Sequence, residues 1–104
     1  MVVIRNVFQL KFGKARDAVA LVKEGLVIQQ RLAKAAGLEF RSRVLTDITG
    51  PFYTLVLELS VPSVAAFEQG ASSIMGSPEW QANYQKLVPL VESGYREILT
   101  VVSE

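Results

Sequence analysis

The hydrophobic period of the chain changes at Gly13. Upstream of it, residues 2–12 alternate. Val2, Ile4, Phe8, Leu10 and Phe12 share one face with Asn6, while Val3, Arg5, Val7, Gln9 and Lys11 share the other. Period two over this length predicts a strand. Downstream, Ala15, Ala18, Val19, Val22, Leu26, Gln29, Leu32, Ala33 and Ala36 recur at three- and four-residue steps. That spacing predicts an amphipathic helix over 14–36, ended by Gly37 as a left-handed cap. Gly25 weakens the middle of this helix by up to ~1 kcal/mol relative to Ala, which fits a close approach of helix to sheet.

Further along, two runs of alternation predict a hairpin. Residues 39–47 set Phe40, Ser42, Val44 and Thr46 against Arg41, Arg43 and Leu45. Residues 52–61 set Tyr53, Leu55, Leu57, Leu59 and Val61 against Phe52, Thr54, Val56 and Glu58, with Ile48-Thr49-Gly50-Pro51 as the turn. Pairing Asp47 with Phe52 puts Arg41 opposite Glu58, a cross-strand charge pair worth roughly 0.2–1 kcal/mol. A second helical region follows in two pieces. Ser63 caps a short helix through Gln69, stopped by Gly70, and Ala71 to Gly76 is irregular or a single helical turn. Ser77-Pro78-Glu79 then starts a helix carrying Trp80, Tyr84, Leu87 and Val91 on one stripe. Pro89 ends it, and Gly94 releases the chain into a last strand over 95–102. Strand–helix–strand–strand–helix–strand is the ferredoxin-like α+β arrangement, βαββαβ. It forms a four-stranded antiparallel sheet with helices on one face, here as a single domain over 1–104.

Composition narrows the chemistry. The 104 residues include no His and no Cys. Disulfides, thiol nucleophiles, His general bases and His- or Cys-ligated zinc, haem or iron–sulfur centres are therefore absent from the repertoire. The carboxylates show no metal-like spacing, so neither metal nor cofactor is expected. Gly70 to Gly76 brackets two serines but lacks the strand-to-helix setting and the His of a nucleophile elbow, and it is not a phosphate loop. No apolar run reaches the ~18 residues of a membrane helix, and the N-terminus builds no signal-peptide core. A cytoplasmic protein without a membrane partner is expected.

The charge is asymmetric. Residues 1–43 hold nine basic and three acidic groups; residues 44–104 hold two basic and seven acidic. The basic residues are dispersed, so the expectation is that the halves interleave in one domain, or meet between protomers. Nucleic acid is not expected, because exposed aromatics among basic residues are few.

A sheet covered by helices on one side keeps a second side. That side carries Val3, Val7, Leu45, Phe52, Val56 and Ile98 or its neighbours, mixed with Arg5, Gln9, Arg41, Arg43 and Glu58. It is too apolar for water and too charged for a core. Large exposed apolar patches mark interfaces, so the expectation is a homodimer through Val3, Val7, Arg41, Arg43, Leu45, Val56 and Glu58.

Phe12-Gly13-Lys14, Ala66-Phe67-Glu68, Ser77-Pro78-Glu79-Trp80 and Glu92-Ser93-Gly94-Tyr95-Arg96-Glu97-Ile98 occur in an order and spacing that resemble the dimeric α+β barrel superfamily. The resemblance covers essentially the whole chain and is to its NIPSNAP-like and antibiotic-biosynthesis-monooxygenase-like branches. It implies a homodimer with a small pocket in each protomer between sheet and helices. The superfamily includes cofactor-free oxygenases and haem-degrading enzymes. Haem degraders carry an Asn on the first strand and a Trp and a His in the second helical region. Asn6 stands at the first of these positions, but Gln69 falls where the Trp belongs and Tyr84 where the His belongs. With no His, the axial iron ligand is missing.

Asn6 is the one polar residue on the apolar face of the first strand. A buried Asn needs partners, either in a neighbouring backbone or in a ligand. With Phe8, Gln29, Tyr53, Trp80 and Tyr84 it forms the candidate ligand-binding set, and Asn6, Trp80 and Tyr84 are the candidate catalytic residues. An aromatic stripe at helical spacing is equally a feature of a packed core. Two functions follow. One is a homodimer that binds a small apolar or aromatic ligand. The other is a cofactor-free monooxygenase acting on an electron-rich aromatic or polyketide-like substrate. The second has no evident base, since Trp only donates and a free Tyr ionises near pH ~10.

Overall fold

The computed structural model describes residues 1–104. Strand β1 (Val2–Leu10) leads into helix α1 (Ala15–Ala35). The hairpin of β2 (Arg41–Thr46) and β3 (Thr54–Val61) follows, then α2 (Val64–Met75), α3 (Pro78–Leu87), a 3-10 turn (Val88–Leu90) and β4 (Val91–Thr100). The sheet order is β2-β3-β1-β4 and every pairing is antiparallel. This is the ferredoxin-like α+β arrangement expected from the periods.

Local chemistry explains most boundaries. Helix α1 ends in a Schellman motif, with Gly37 at φ +75°. The Leu38 amide donates to the Ala33 carbonyl (2.8 Å) and the Gly37 amide to that of Lys34 (3.1 Å). Ser63 accepts from the Ala66 amide (3.1 Å) and Ser77 from the Trp80 amide (3.3 Å), so each hydroxyl caps the helix it precedes.

Five expectations are corrected, the last of them at Gly25. The hairpin register is shifted by two, so Arg43 rather than Arg41 stands opposite Glu58, and Arg41 faces Ser60. The loop sets this. The Asp47 carboxylate accepts from the Thr54 amide (2.9 Å), Thr54 Oγ1 donates to the Pro51 carbonyl (2.9 Å), and Tyr53 takes a positive φ of 61°. Asp47 thereby pairs with Thr54, and Phe52 is left exposed in the loop.

Helix α2 runs through Gly70 to Met75 without a break. One interior glycine costs only ~1 kcal/mol, and the half-buried Gly70 sits in a helix that packs on α1 and β3. Strand β4 begins at Val91, with Gly94 inside it. A Cβ at Gly94 would stand 3.0 Å from the Val7 carbonyl oxygen and 3.2 Å from the Phe8 ring, so this glycine permits close approach within the strand instead of releasing the chain into it. Ile98, finally, pairs with Ile4 on the helix-facing side, and Leu99 beside Val3 takes the place on the open face.

The core lies between α1 and the β1–β3 half of the sheet: Ile4, Leu10, Ala18, Val22, Leu26, Leu55 and Leu57. On the opposite face, direct cross-strand neighbours form rows. Leu45, Val56, Val7 and Tyr95 make an apolar row; Arg43, Glu58, Arg5 and Glu97 make a charged row. Arg5 lies 3.6 Å from Glu58 and 3.9 Å from Glu97, and Arg43 pairs with Glu58. With Arg31–Glu79 between α1 and α3, each of these ion pairs joins the basic first part of the chain to the acidic second. The two parts interleave.

Helix α3, whose last residue Leu87 joins the core over the sheet, packs mainly on α1. The contact is made at Gly25, where a Cβ would lie 2.6 Å from Asn83 Oδ1. Asn83 is buried, and its Nδ2 donates to the Leu21 carbonyl (3.1 Å). The missing side chain therefore serves a helix–helix approach, where a helix–sheet approach was expected. Gly25→Ala should lose about 1–2 kcal/mol by overpacking this joint, despite the usual helical gain. In an Asn83→Ala background the same substitution should stabilise by about 0.5–1 kcal/mol. Urea denaturation of the four proteins measures both; equal effects in the two backgrounds would refute the joint.

Candidate functional site

Because the helices pack toward β2 and β3, the helix-facing side of β1 and β4 is incompletely covered. An open cleft of about 1760 Å³ results, larger than the ~300–1,000 Å³ typical of small-molecule pockets. Its floor is the sheet at Asn6, Phe8, Gly94 and Arg96; α2 contributes Phe67, and α3 contributes Trp80 and Tyr84. Phe8 can stand beside Gly94 only because that neighbour has no side chain.

Alternation along β1 and the caps at Ser77 bring Asn6, Phe8, Gln29, Trp80 and Tyr84 to this one cleft. Trp80 and Tyr84, one helical turn apart, are stacked with centroids 5.2 Å apart and planes at 15°. Trp80 is half-buried and Tyr84 is 44% exposed, so this stripe faces the opening and is not sealed into the core. Tyr53 is not among them. The positive φ at the end of the hairpin loop turns its ring against Phe12 (4.7 Å, edge-on), beside a separate small hollow that also touches Ala15, Arg16 and Phe52.

Asn6 has a partner that sequence reasoning missed. Arg96 Nε donates to Asn6 Oδ1 at 2.6 Å, and the guanidinium carbon lies 5.2 Å from the centre of the Phe67 ring. Strand parity carries the signal once the β1–β4 register is known, since Asn6 and Arg96 are direct neighbours. A guanidinium can only donate, so the Asn6 amide must turn its oxygen to Arg96 and its Nδ2 away from it. The cleft offers hydrogen-bond donors on aromatic and aliphatic walls. No group of three or more acidic residues is placed to hold a metal ion, and no helix is long and apolar enough to cross a membrane.

No protein-family model and no curated sequence matches the chain. Solved structures do. An uncharacterized NIPSNAP domain protein from Burkholderia xenovorans superposes with a TM-score of 0.85 at 19% identity, over 99% of this chain and 96% of that one. A NIPSNAP family protein of unknown function from Agrobacterium tumefaciens gives 0.82 at 21% identity, over 95% and 86%. SnoaB, a cofactor-independent oxygenase from Streptomyces nogalater, gives 0.73 at 14% identity, over 99% and 94%. The chain therefore has the fold of the NIPSNAP-domain proteins, which it shares with proteins of the antibiotic-biosynthesis-monooxygenase type.

Proposed function

We propose that the protein is a homodimer in which each protomer binds a small, mostly apolar ligand in the cleft between sheet and helices. The observation that carries this reading is the cleft itself, where a few polar groups punctuate apolar walls. The open sheet face supports the dimer. Leu45, Tyr95 and Leu99 are 37%, 62% and 46% exposed there, beside half-buried Val3 and Val7. Val56 is already buried within the protomer, and Arg41 lies on the edge strand of the same face. The charged row reads plus, minus, plus, minus across the four strands. Such a row becomes its own complement when a two-fold axis reverses it, so two copies can bury the apolar rows with their charges matched.

A second reading is a cofactor-free monooxygenase, favoured by the fold shared with a cofactor-independent oxygenase. An electron-rich aromatic substrate would ionise and supply its own electrons to oxygen. The protein would contribute donors to the substrate oxyanion and exclude water. Asn6 Nδ2 and Trp80 Nε1 are suited to the first task, and Tyr84 can relay a proton at the mouth.

Light scattering at micromolar concentration should give twice the 11.4 kDa chain mass. Leu45→Glu and Tyr95→Glu should give folded monomers, because a charge that is solvated in one chain would be buried in the dimer. A wild-type monomer would sink the dimer. For the ligand, small aromatic compounds at about a hundredfold excess over Kd should stabilise the protein by about 2.7 kcal/mol, read as a rise in Tm. Oxygen uptake with polyphenol or anthrone-like substrates in metal-free buffer decides between the readings. Turnover that Asn6→Ala abolishes selects the oxygenase; thermal stabilisation without oxygen uptake selects binding.

A further inference from the structure

Of the cations that line the cleft, Arg96 alone has both a side-chain hydrogen bond and an aromatic neighbour. Asn6 Oδ1 takes its Nε–H, and its guanidinium carbon lies over the Phe67 ring, 5.2 Å from the centroid. The four ion pairs of the structure use Arg5, Arg31 and Arg43 and leave Arg96 without a carboxylate, although Glu39 and Glu68 also line the cleft. Its Nη1 and Nη2 groups therefore have no protein acceptor and sit on an exposed side chain at the cleft. A free surface arginine spends much of its time in other rotamers. One fixed by two neighbours has already lost that freedom, so a ligand that meets it gains more of the interaction.

Asn6 strengthens the same bias. With its oxygen turned to Arg96, the amide presents Nδ2, which makes no hydrogen bond to the protein, and one lone pair of the oxygen is already occupied. A cationic donor and an amide with an unpaired N–H₂ stand next to one another on the floor of an otherwise apolar cleft.

We propose that Asn6 and Arg96 form an anion subsite, and that the ligand is an amphipathic organic anion. Its charged oxygen group meets the guanidinium and the Asn6 amide, and its apolar, ring-bearing body lies along Phe8 and Trp80. This rests on the reading of the cleft as a small-molecule site and adds the charge of the molecule it takes. The same subsite serves either function, since a bound carboxylate and an ionised phenol or enol place negative oxygen at the same donors.

Two fluorescent probes with one ring system test it: 8-anilinonaphthalene-1-sulfonate, and N-phenyl-1-naphthylamine, which lacks the sulfonate. Energy transfer from Trp80, the only tryptophan, reports their binding. Arg96→Gln should weaken the sulfonate probe by about tenfold and leave the neutral probe within about twofold. Arg16→Gln removes an exposed charge outside the cleft lining and should change neither. Added salt should weaken the sulfonate probe selectively. If the neutral probe binds but Arg96→Gln weakens both probes equally, or Arg16→Gln acts as strongly as Arg96→Gln, the anion subsite is overturned and the cleft survives. If neither probe binds, the cleft reading and the subsite fall together.

Discussion

The joint between α1 and α3 governs what the rest of the molecule can do. Gly25 lets Asn83 reach the Leu21 carbonyl, and that bond lies within the contact of α3 with α1, while Leu87 at the end of α3 joins the core over the sheet. Had α3 settled on β1 and β4, Phe8 and Ile98 would have been sealed and the cleft filled. Instead Ile98 is 44% exposed on the helix-facing side, and Trp80 and Tyr84 overlook open space. A polar side chain in a helix–helix contact costs desolvation unless it is bonded, so burying Asn83 there makes sense only with its partner carbonyl in place.

The sheet carries two different surfaces on one set of strands. Alternation sends Ile4, Leu55 and Leu57 to the core and Val7, Arg5 and Glu58 to the open face. On that open face the chain does not scatter its charges. It aligns Arg43, Glu58, Arg5 and Glu97 in one row, so the Glu58 side chain, only 14% exposed, is flanked by two arginines. Charge gathered into a neutral row leaves the adjoining row of Leu45, Val56, Val7 and Tyr95 wholly uncharged. Apolar burial against a second surface is then possible without stranding an ion.

Much of this architecture was legible in the sequence because it depends on period and caps. The switch from period two to 3.6 at Gly13, the Schellman glycine at Gly37, and Ser77-Pro78 are local signals with local causes. Where reasoning went astray, the deciding contact was not local. The hairpin register turned on Asp47 accepting from Thr54 and on a positive φ at Tyr53, which alternation cannot encode. Gly70 looked like a stop because its cost is visible in sequence, while the packing of α2 that outweighs it is not. The position of Asn6, Phe8, Gln29, Trp80 and Tyr84 along one cleft follows from their faces; that of Arg96 beside Asn6 depends on the pairing of two strands ninety residues apart.

That neighbour changes what Asn6 means. Alone on an apolar strand face, an asparagine is ambiguous, able to donate to a ligand carbonyl or accept from a ligand hydroxyl. Arginine has no lone pair to offer, so its approach at 2.6 Å orients the amide with the oxygen toward Arg96 and occupies one of the two lone pairs. Both amide hydrogens remain without a protein acceptor. Phe67, with its ring centroid 5.2 Å from the guanidinium carbon, adds a cation–π attraction on the same arginine. Charge preference in the cleft thus rests on a contact between two protein side chains: Arg96 supplies a positive charge itself and, by bonding the Asn6 oxygen, fixes which way its neighbour's amide N–H₂ is turned.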